Sequence, residues 1–381
     1  MPPEKKIFII AGEASGDLHA SNLVREIRAA SPNTAFFGLG GRLMEKEGVD
    51  TCFEIAGLGI IGVIEAVQKL TKIRKIYNGL LERVDAERPD LAILVDYPGF
   101  NLSMARALKK RGVRIVYFIS PQLWAWGKSR IHIIKECVEK VLVFFKFEKK
   151  LYEDHGISAE FIGHPLIESV RPSIPRDEAI KEFGLKGKKI VAVLPGSRIN
   201  EVRNTLPVIL RAGAIVDKAC GGVRFLISKH EHLERSIYDD AIKGRKLDVE
   251  LVEGRTHDIV NAADFAIAVS GTVTLECAII GTPMVIIYKG NLFSWMLFKL
   301  FIRIPDVGLA NIVAGKRVVP ELIQINATPK KIAAFASDYL KDDKKRRATA
   351  QSLSAVKESL GSPGAYKRAA AAVLSVLNRP S

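Results

Sequence analysis

The sequence predicts an α/β protein of two parallel-sheet domains facing a central cleft, and three observations carry that reading. Short apolar runs bounded by turn residues alternate with segments of helical spacing along the whole chain. The alternation begins twice, at Ile7–Ala11 and again at Lys189–Leu194, and each opening run enters a glycine turn. Between the two series lies Ser169–Asp177, where Pro172 and Pro175 mark a linker. A strand, a glycine turn and a helix at the head of each series make both domains Rossmann-like.

Composition narrows the partners. The 381 residues suit two domains. Lys+Arg 57 against Asp+Glu 42 leaves a net charge of +15, which fits an anionic partner such as nucleic acid, a sugar nucleotide or a membrane face. No recognisable nucleic-acid motif is present, so no nucleic-acid partner is expected. Cys52, Cys137, Cys220 and Cys277 form no C-x-x-C and read as thiols of a reducing compartment. The apolar run after Lys5 and Lys6 stops at Gly12, too short for a signal peptide. Later apolar segments are interrupted by Glu276, Pro283 or Lys299, short of the ~20 apolar residues of a membrane span. A cytoplasmic protein is expected.

In order, Ile7–Ala11 is a buried strand and Gly12, Glu13, Ala14, Ser15, Gly16 and Asp17 form its turn into a helix from Leu18 to Ala30. That turn serves either a ligand or simply a tight strand-to-helix connection; it is neither G-x-G-x-x-G nor a P-loop. Phe37-Gly38-Leu39-Gly40-Gly41 closes the next strand. Over residues 58–80, Ile60, Ile61, Val63, Ile64, Val67, Leu70, Ile73 and Ile76 recur at helical spacing with Lys69, Lys72, Arg74 and Lys75 between them. Such a helix lies on a membrane surface or packs on a core with a solvated basic face. Leu91–Val95 is a continuous apolar strand ending in Asp96-Tyr97-Pro98-Gly99. Parallel sheets place ligands at the carboxyl ends of their strands, so Asp96 is a candidate catalytic carboxylate, or else a helix cap. Strands at Arg114–Ile119 and Lys140–Phe145 follow, separated by a loop with Trp124 and Trp126, and Phe161–Pro165 ends another.

In the second series, Gly196, Ser197 and Arg198 follow the strand Lys189–Leu194 and suit a pyrophosphate, through backbone N–H groups and a guanidinium fork. Strands near Arg224–Ser228 and Val249–Val252 lead to Asp264–Pro283, where Phe265–Val269 breaks at Ser270, Gly271 and Thr272 before a buried helix. That helix start can meet an anion, and Glu276 in its first turns can accept from a ribose or merely complement the dipole. Strand Met284–Tyr288, a basic aromatic helix at Phe293–Ile302 and Ala- and Lys-rich terminal helices complete the chain. No D-x-D, H-E-x-x-H or G-x-S-x-G is present, and the seven His are dispersed. Neither metal nor cofactor is therefore expected. One base, one arginine on a glycine turn and one helix N-terminus suit displacement of a nucleoside diphosphate by an activated hydroxyl.

The segments GEASGD (Gly12–Asp17), VDYPGFN, the Trp-Ala-Trp run, FIGHP, LPGSR (Leu194–Arg198), SGTVTLE and LANIVAG together resemble the lipid-A-disaccharide synthases, across nearly the whole chain. The resemblance implies a GT-B glycosyltransferase, with UDP-2,3-diacylglucosamine as donor and 2,3-diacylglucosamine 1-phosphate as acceptor. The product would be a β-1,6 disaccharide, formed with inversion. It also implies that Asp96 is the general base and that Arg198, Glu276 and Asn311 lie on the nucleotide side. The Ile60–Ile76 helix would dip into the cytoplasmic face of the inner membrane, and a homodimer is compatible with this. Domains follow at 1–168, completed by helices from about 346 to 381, and at 169–345 for the UDP-sugar. Lys146, where the family leads one to expect Pro, and Ile61-Gly62, in place of Met-Gly, are departures at the lipid contacts. The alternatives are a GT-B enzyme using UDP-N-acetylglucosamine, as transferase or 2-epimerase, and a non-catalytic nucleotide-binding protein of the membrane surface.

Overall fold

A computed structural model describes residues 5–54, 63–120, 130–290 and 306–380, with only the backbone of 53–54 and 63–70. The expected contacts at Ile60 and Ile61, the loop with Trp124 and Trp126 and the helix Phe293–Ile302 lie outside the described residues, as do the side chains of Val63, Ile64, Val67 and Leu70. The chain divides into two compact units, Met1–Pro165 with Ser362–Ser381, and Leu166–Gly361.

The first unit holds a seven-stranded parallel sheet of β1 (Lys5–Ala11), β2 (Thr34–Gly40), β3 (Asp50–Glu54), β4 (Leu91–Val95), β5 (Arg114–Phe118), β6 (Lys140–Val143) and β7 (Ala159–Phe161). Its order is β3-β2-β1-β4-β5-β6-β7, in register Ile9↔Ile93 and Ile93↔Val116. Ile7 to Ala11 and Leu91 to Val95 are fully buried, because helices cover both faces of a parallel sheet and every side chain on a central strand is inside. Chain order reverses between β1 and β4, and there the loops after these strands diverge to opposite faces and leave a crevice.

The second unit repeats the plan with β8 (Lys189–Leu194), β9 (Val223–Lys229), β10 (Val249–Glu253), β11 (Phe265–Val269), β12 (Met284–Tyr288) and β13 (Glu321–Ile323), in the order β10-β9-β8-β11-β12-β13. Its reversal falls between β8 and β11, paired Val191↔Phe265. The helix Ile199–Cys220 buries Val202, Leu206, Ile209 and Val216 on the sheet at helical spacing.

The boundary between the units differs from the expected one near residue 346. The helix Asp343–Ser359 follows Pro329–Lys341 directly, its N-cap Asp342 accepting from the Lys345 N–H at 2.9 Å. It buries Thr349, Leu353 and Val356 and packs on the helices Val273–Ile280 and Leu309–Ala314 of the second unit. The chain returns only after Gly361-Ser362-Pro363-Gly364, and the helix Ala365–Leu377 alone completes the first unit. It lies on the helix Ala14–Ala30 through Ala369, Ala372, Val373 and Val376. Arg114 donates to the carbonyls of Val376, Leu377 and Arg379 at 2.8, 3.0 and 3.0 Å, and Arg368 donates to Ile162 O at 2.8 Å.

The helix Val63–Glu87 runs to the β4 side of the first sheet. Thr71, Lys72, Arg74 and Lys75 are exposed while Ile76 and Leu80 are buried. Ile73, expected against lipid, instead packs at the margin of the first unit's core with Tyr77 and Leu81. Beyond residue 70 the apolar stripe therefore belongs to the fold. Lys146 starts the helix Lys146–Glu153 and lies over the Phe161 ring at 5.7 Å. A proline at that first helical position would fit equally well, so the departure leaves the backbone unchanged.

Candidate active site

In the first unit, Asp96 follows β4 at the reversal of the sheet. Asp96 and Tyr97 take φ of 46° and 45°, two successive non-glycine residues in the left-handed region, at a cost of about 1 kcal/mol or more each. Hydrogen bonds over-determine this turn. The fully buried Asn101 donates its amide to Val95 O at 3.1 Å and Asp96 O at 2.7 Å, and the Tyr117 hydroxyl donates to Asp96 O at 2.7 Å. The Asp96 N–H reaches Phe118 O at 3.1 Å. The backbone of Asp96, from which the carboxylate projects, is thus held at a fixed point on the carboxyl edge. Burial, then the charge of Glu13, push the carboxyl pKa up to about 6, against a hydrogen bond from the Tyr97 backbone.

The glycine turn after β1 contributes unequally. A methyl on Gly12 would stand 2.3 Å from the Tyr97 ring, so the close approach of the two loops needs glycine there. Glu13 and Ser15 are exposed, and Gly16 is buried beside Ala11. Asp17, expected among the ligand residues, is buried and turned away. It accepts from the N–H groups of Gly41, Leu43 and Met44 at 3.0, 3.1 and 3.1 Å, and so caps the helix Arg42–Lys46. His19 and His164 share an aromatic cluster with Phe144, and His19 Nδ1 lies 2.8 Å from the Tyr366 hydroxyl. Burial lowers them to about 4 and about 3, so both are neutral packing groups.

In the second unit a pocket of ≈ 660 Å³ opens at the carboxyl ends of β8, β9, β10 and β11. Gly196, Ser197, Arg198, Ser270, Gly271, Thr272 and Glu276, which the sequence marks separately, all line it. The glycine turn does not offer its amides as expected. Glu201 Oε2 accepts from the Ser197 and Arg198 N–H groups at 3.0 and 3.3 Å, and its Oε1 holds Arg198 Nη1 at 2.8 Å. A side chain on Gly196 would strike that carboxylate, and its φ of 112° suits glycine alone. Arg198, whose side chain is 79% exposed, is thereby oriented but solvated.

The Ser270 N–H is spent on Ile287 O at 2.9 Å, and its hydroxyl on Val307 O at 3.1 Å. Gly271, Thr272 and Val273 then open the helix Val273–Ile280; the Thr274 and Leu275 N–H groups turn back to Gly271 O and Thr272 O at 3.1 and 2.9 Å, so the end that faces the pocket is the Gly271–Val273 segment. Nothing lies within 4 Å of the Gly271 side-chain position, so the pocket is open at this positive helix end.

His257, which sequence reasoning left among dispersed histidines, also lines the pocket, with Nε2 3.3 Å from Glu276 Oε2. Asn311, expected beside the nucleotide, is not among the residues that line this pocket. It is 1% exposed, donates to Val319 O and Glu321 Oε1 at 2.9 and 2.8 Å, and accepts from the Val318 and Val319 N–H groups at 2.8 and 3.1 Å. All its capacity goes to holding the loop before β13. Asn311→Ala is expected to cost about 2–4 kcal/mol in urea unfolding, since it strands buried groups, while UDP affinity stays within about twofold. Affinity lost without stability would return Asn311 to the site. Among the described residues no cluster of three metal-ligating side chains occurs, and no helix is long and apolar enough to cross a membrane.

Two parallel α/β units, one with a raised carboxylate and one with an open helix N-terminus at its switch point, define a protein of the GT-B fold. Solved structures bear out the fold. The UDP-GlcNAc 2-epimerase from Neisseria meningitidis matches with TM-score 0.64 at 11% identity, over 97% of this chain and all of that one. The calicheamicin glycosyltransferase matches with TM-score 0.60 at 15% identity over the whole of both chains. The family model described as lipid-A-disaccharide synthetase matches residues 7–376. The lipid-A-disaccharide synthase of Syntrophus aciditrophicus (strain SB) is 41% identical over 377 residues, 98% of each chain. The chain belongs to the lipid-A-disaccharide synthetase family, and it forms the lipid A disaccharide by glycosyl transfer.

Proposed function

We propose that the enzyme joins UDP-2,3-diacylglucosamine to 2,3-diacylglucosamine 1-phosphate, releasing UDP and forming the β-1,6 disaccharide 1-phosphate with inversion, without a metal. Asp96 takes the proton of the acceptor's 6-hydroxyl as that oxygen attacks the anomeric carbon. The bond to the UDP oxygen breaks on the opposite side, and its electron pair leaves with the diphosphate. Arg198 and the helix end at Gly271–Val273 offset the charge that develops there. A single displacement inverts the centre. Glu276 accepts from the ribose. The exposed Lys72, Arg74 and Lys75 meet anionic lipid on the cytoplasmic face of the inner membrane, where the acylated substrates reside.

The observation that carries this reading is Asp96: its backbone is pinned by Asn101 and Tyr117 in a strained turn at the carboxyl end of β4, and its carboxyl pKa is raised to about 6. A UDP-release assay with acylated donor, with and without acylated acceptor, in detergent and EDTA, tests it. Acceptor-dependent release and a disaccharide by mass spectrometry are expected. Release from UDP-N-acetylglucosamine alone moves the substrate to an unacylated sugar.

A base works in its charged form, so kcat/KM should rise with pH up to about 6, the value at which Asp96 ionises, and level off above it. Glu13→Gln removes a negative neighbour, which should move this limb to lower pH. A limb that stays in place removes Glu13 from the field on Asp96.

A further inference from the structure

His257 has no part in the chemistry above. It stands in the first turn of the helix Thr256–Ala262, half-buried, with Nε2 3.3 Å from Glu276 Oε2. The backbone of Arg171 also favours the charged form of the ring. A neutral imidazole has one N–H; only the imidazolium donates from both nitrogens.

Other charges surround this pair: Arg171, Arg198, Glu201, His230 and Glu231 line the same pocket, and Asp258 also favours the charged ring. On the same helix Asp258 binds Ser173 and Arg255, and Arg255 also binds Glu182 of the packed helix Arg176–Glu182, where Arg176 holds Asp264. From the neighbouring strands Lys229 meets Glu253 at 2.7 Å, while Lys189 and Arg224 sit at the opposite, amino ends. The helix Val273–Ile280 brings no other charge than Glu276.

We propose that His257 is a positioning residue for Glu276: its imidazolium fixes the carboxylate so that a nucleotide's ribose hydroxyls meet a preset acceptor. This rests on the nucleotide reading of the pocket. The hydrogen bond to Glu276 holds the imidazole above its ordinary range, against burial. Ribose recognition is then full at acid pH and is lost as pH rises through that raised value.

The test compares UDP with 2′,3′-dideoxy-UDP by calorimetry from about pH 6 to about pH 8.5. The diphosphate titrates alike in both ligands and cancels in the ratio. The full chain should prefer UDP by about fivefold or more at the acid end, as one charge-assisted hydrogen-bonding arrangement allows, with the preference fading as pH rises. His257→Gln keeps a donor but cannot titrate, so its preference should be flat with pH. His257→Ala should lose the preference at every pH and still bind UDP. If His257→Ala does not fold, the side-chain nitrogen signals of His257 decide: E276Q should lower its titration point, and an unchanged one overturns the proposal. Wild-type preference and pH profile in His257→Gln overturn it too. UDP bound with no ribose preference defeats the positioning role alone; no UDP binding at all defeats the nucleotide reading with it.

Discussion

Asp96→Asn is expected to lower turnover by about a hundredfold or more while leaving UDP affinity within about twofold. Asparagine is the informative replacement because of the backbone. Position 96 has a φ of 46°, which Asn tolerates nearly as well as Asp, whereas Ala would add strain to the loss of the base. The amide keeps the shape and cannot take a proton. Steady-state rates with acylated substrates, set beside calorimetric UDP binding, separate the roles. Since Asp96 lies in the first unit and Gly271–Glu276 in the second, nucleotide binding should survive. Normal turnover in this variant would remove Asp96 from the mechanism.

Ending the chain at Gly361 is expected to unfold the first unit while sparing the second. The lost helix Ala365–Leu377 buries Val373, Val376 and Leu377, each 1% exposed or less. At about 1.5–3 kcal/mol for each such side chain, this is comparable with the ~5–15 kcal/mol that holds a whole domain. Its loss also bares the face of the helix Ala14–Ala30 on which it packs. Urea unfolding followed by near-ultraviolet dichroism should show one transition fewer, and UDP should still raise the midpoint of the remaining one. Arg114→Ala tests the same docking more gently: three carbonyls lose their donor, for a cost of about 1–3 kcal/mol. Two intact transitions in the shortened chain would mean the helix is dispensable.

What could be read from the sequence follows from where each residue sits in its sheet. β1, β4, β8 and β11 are central and parallel, so they appear as uninterrupted apolar runs. β3, Asp-Thr-Cys-Phe-Glu, lies at an edge, and β13 has three residues; neither carries a pattern long enough to see. The places of Asp96, Arg198 and Glu276 could be read because each follows such a run, at the carboxyl end where α/β sheets gather ligands. The roles of Asp17 and Asn311 could not, because they depend on amides brought up by folding, at Gly41–Met44 and Val318–Val319. His257 escaped notice for the same reason: its partner is nineteen positions away on another helix, and nothing local announces the pair.

The return of the final helix to the first unit makes the second unit an insert, entered at Leu166 and left at Gly361. On the ribosome the order of completion is therefore inverted. The amino-terminal sheet emerges first, yet the face of the helix Ala14–Ala30 that the final helix will cover waits, exposed, through the synthesis of the entire insert. At about 5–20 residues per second that wait is on the order of ten seconds or more. The second unit has all its residues in hand and can fold meanwhile. The half of the protein that is made first is the half that must be finished last, and it spends the interval as the species most exposed to aggregation and proteolysis.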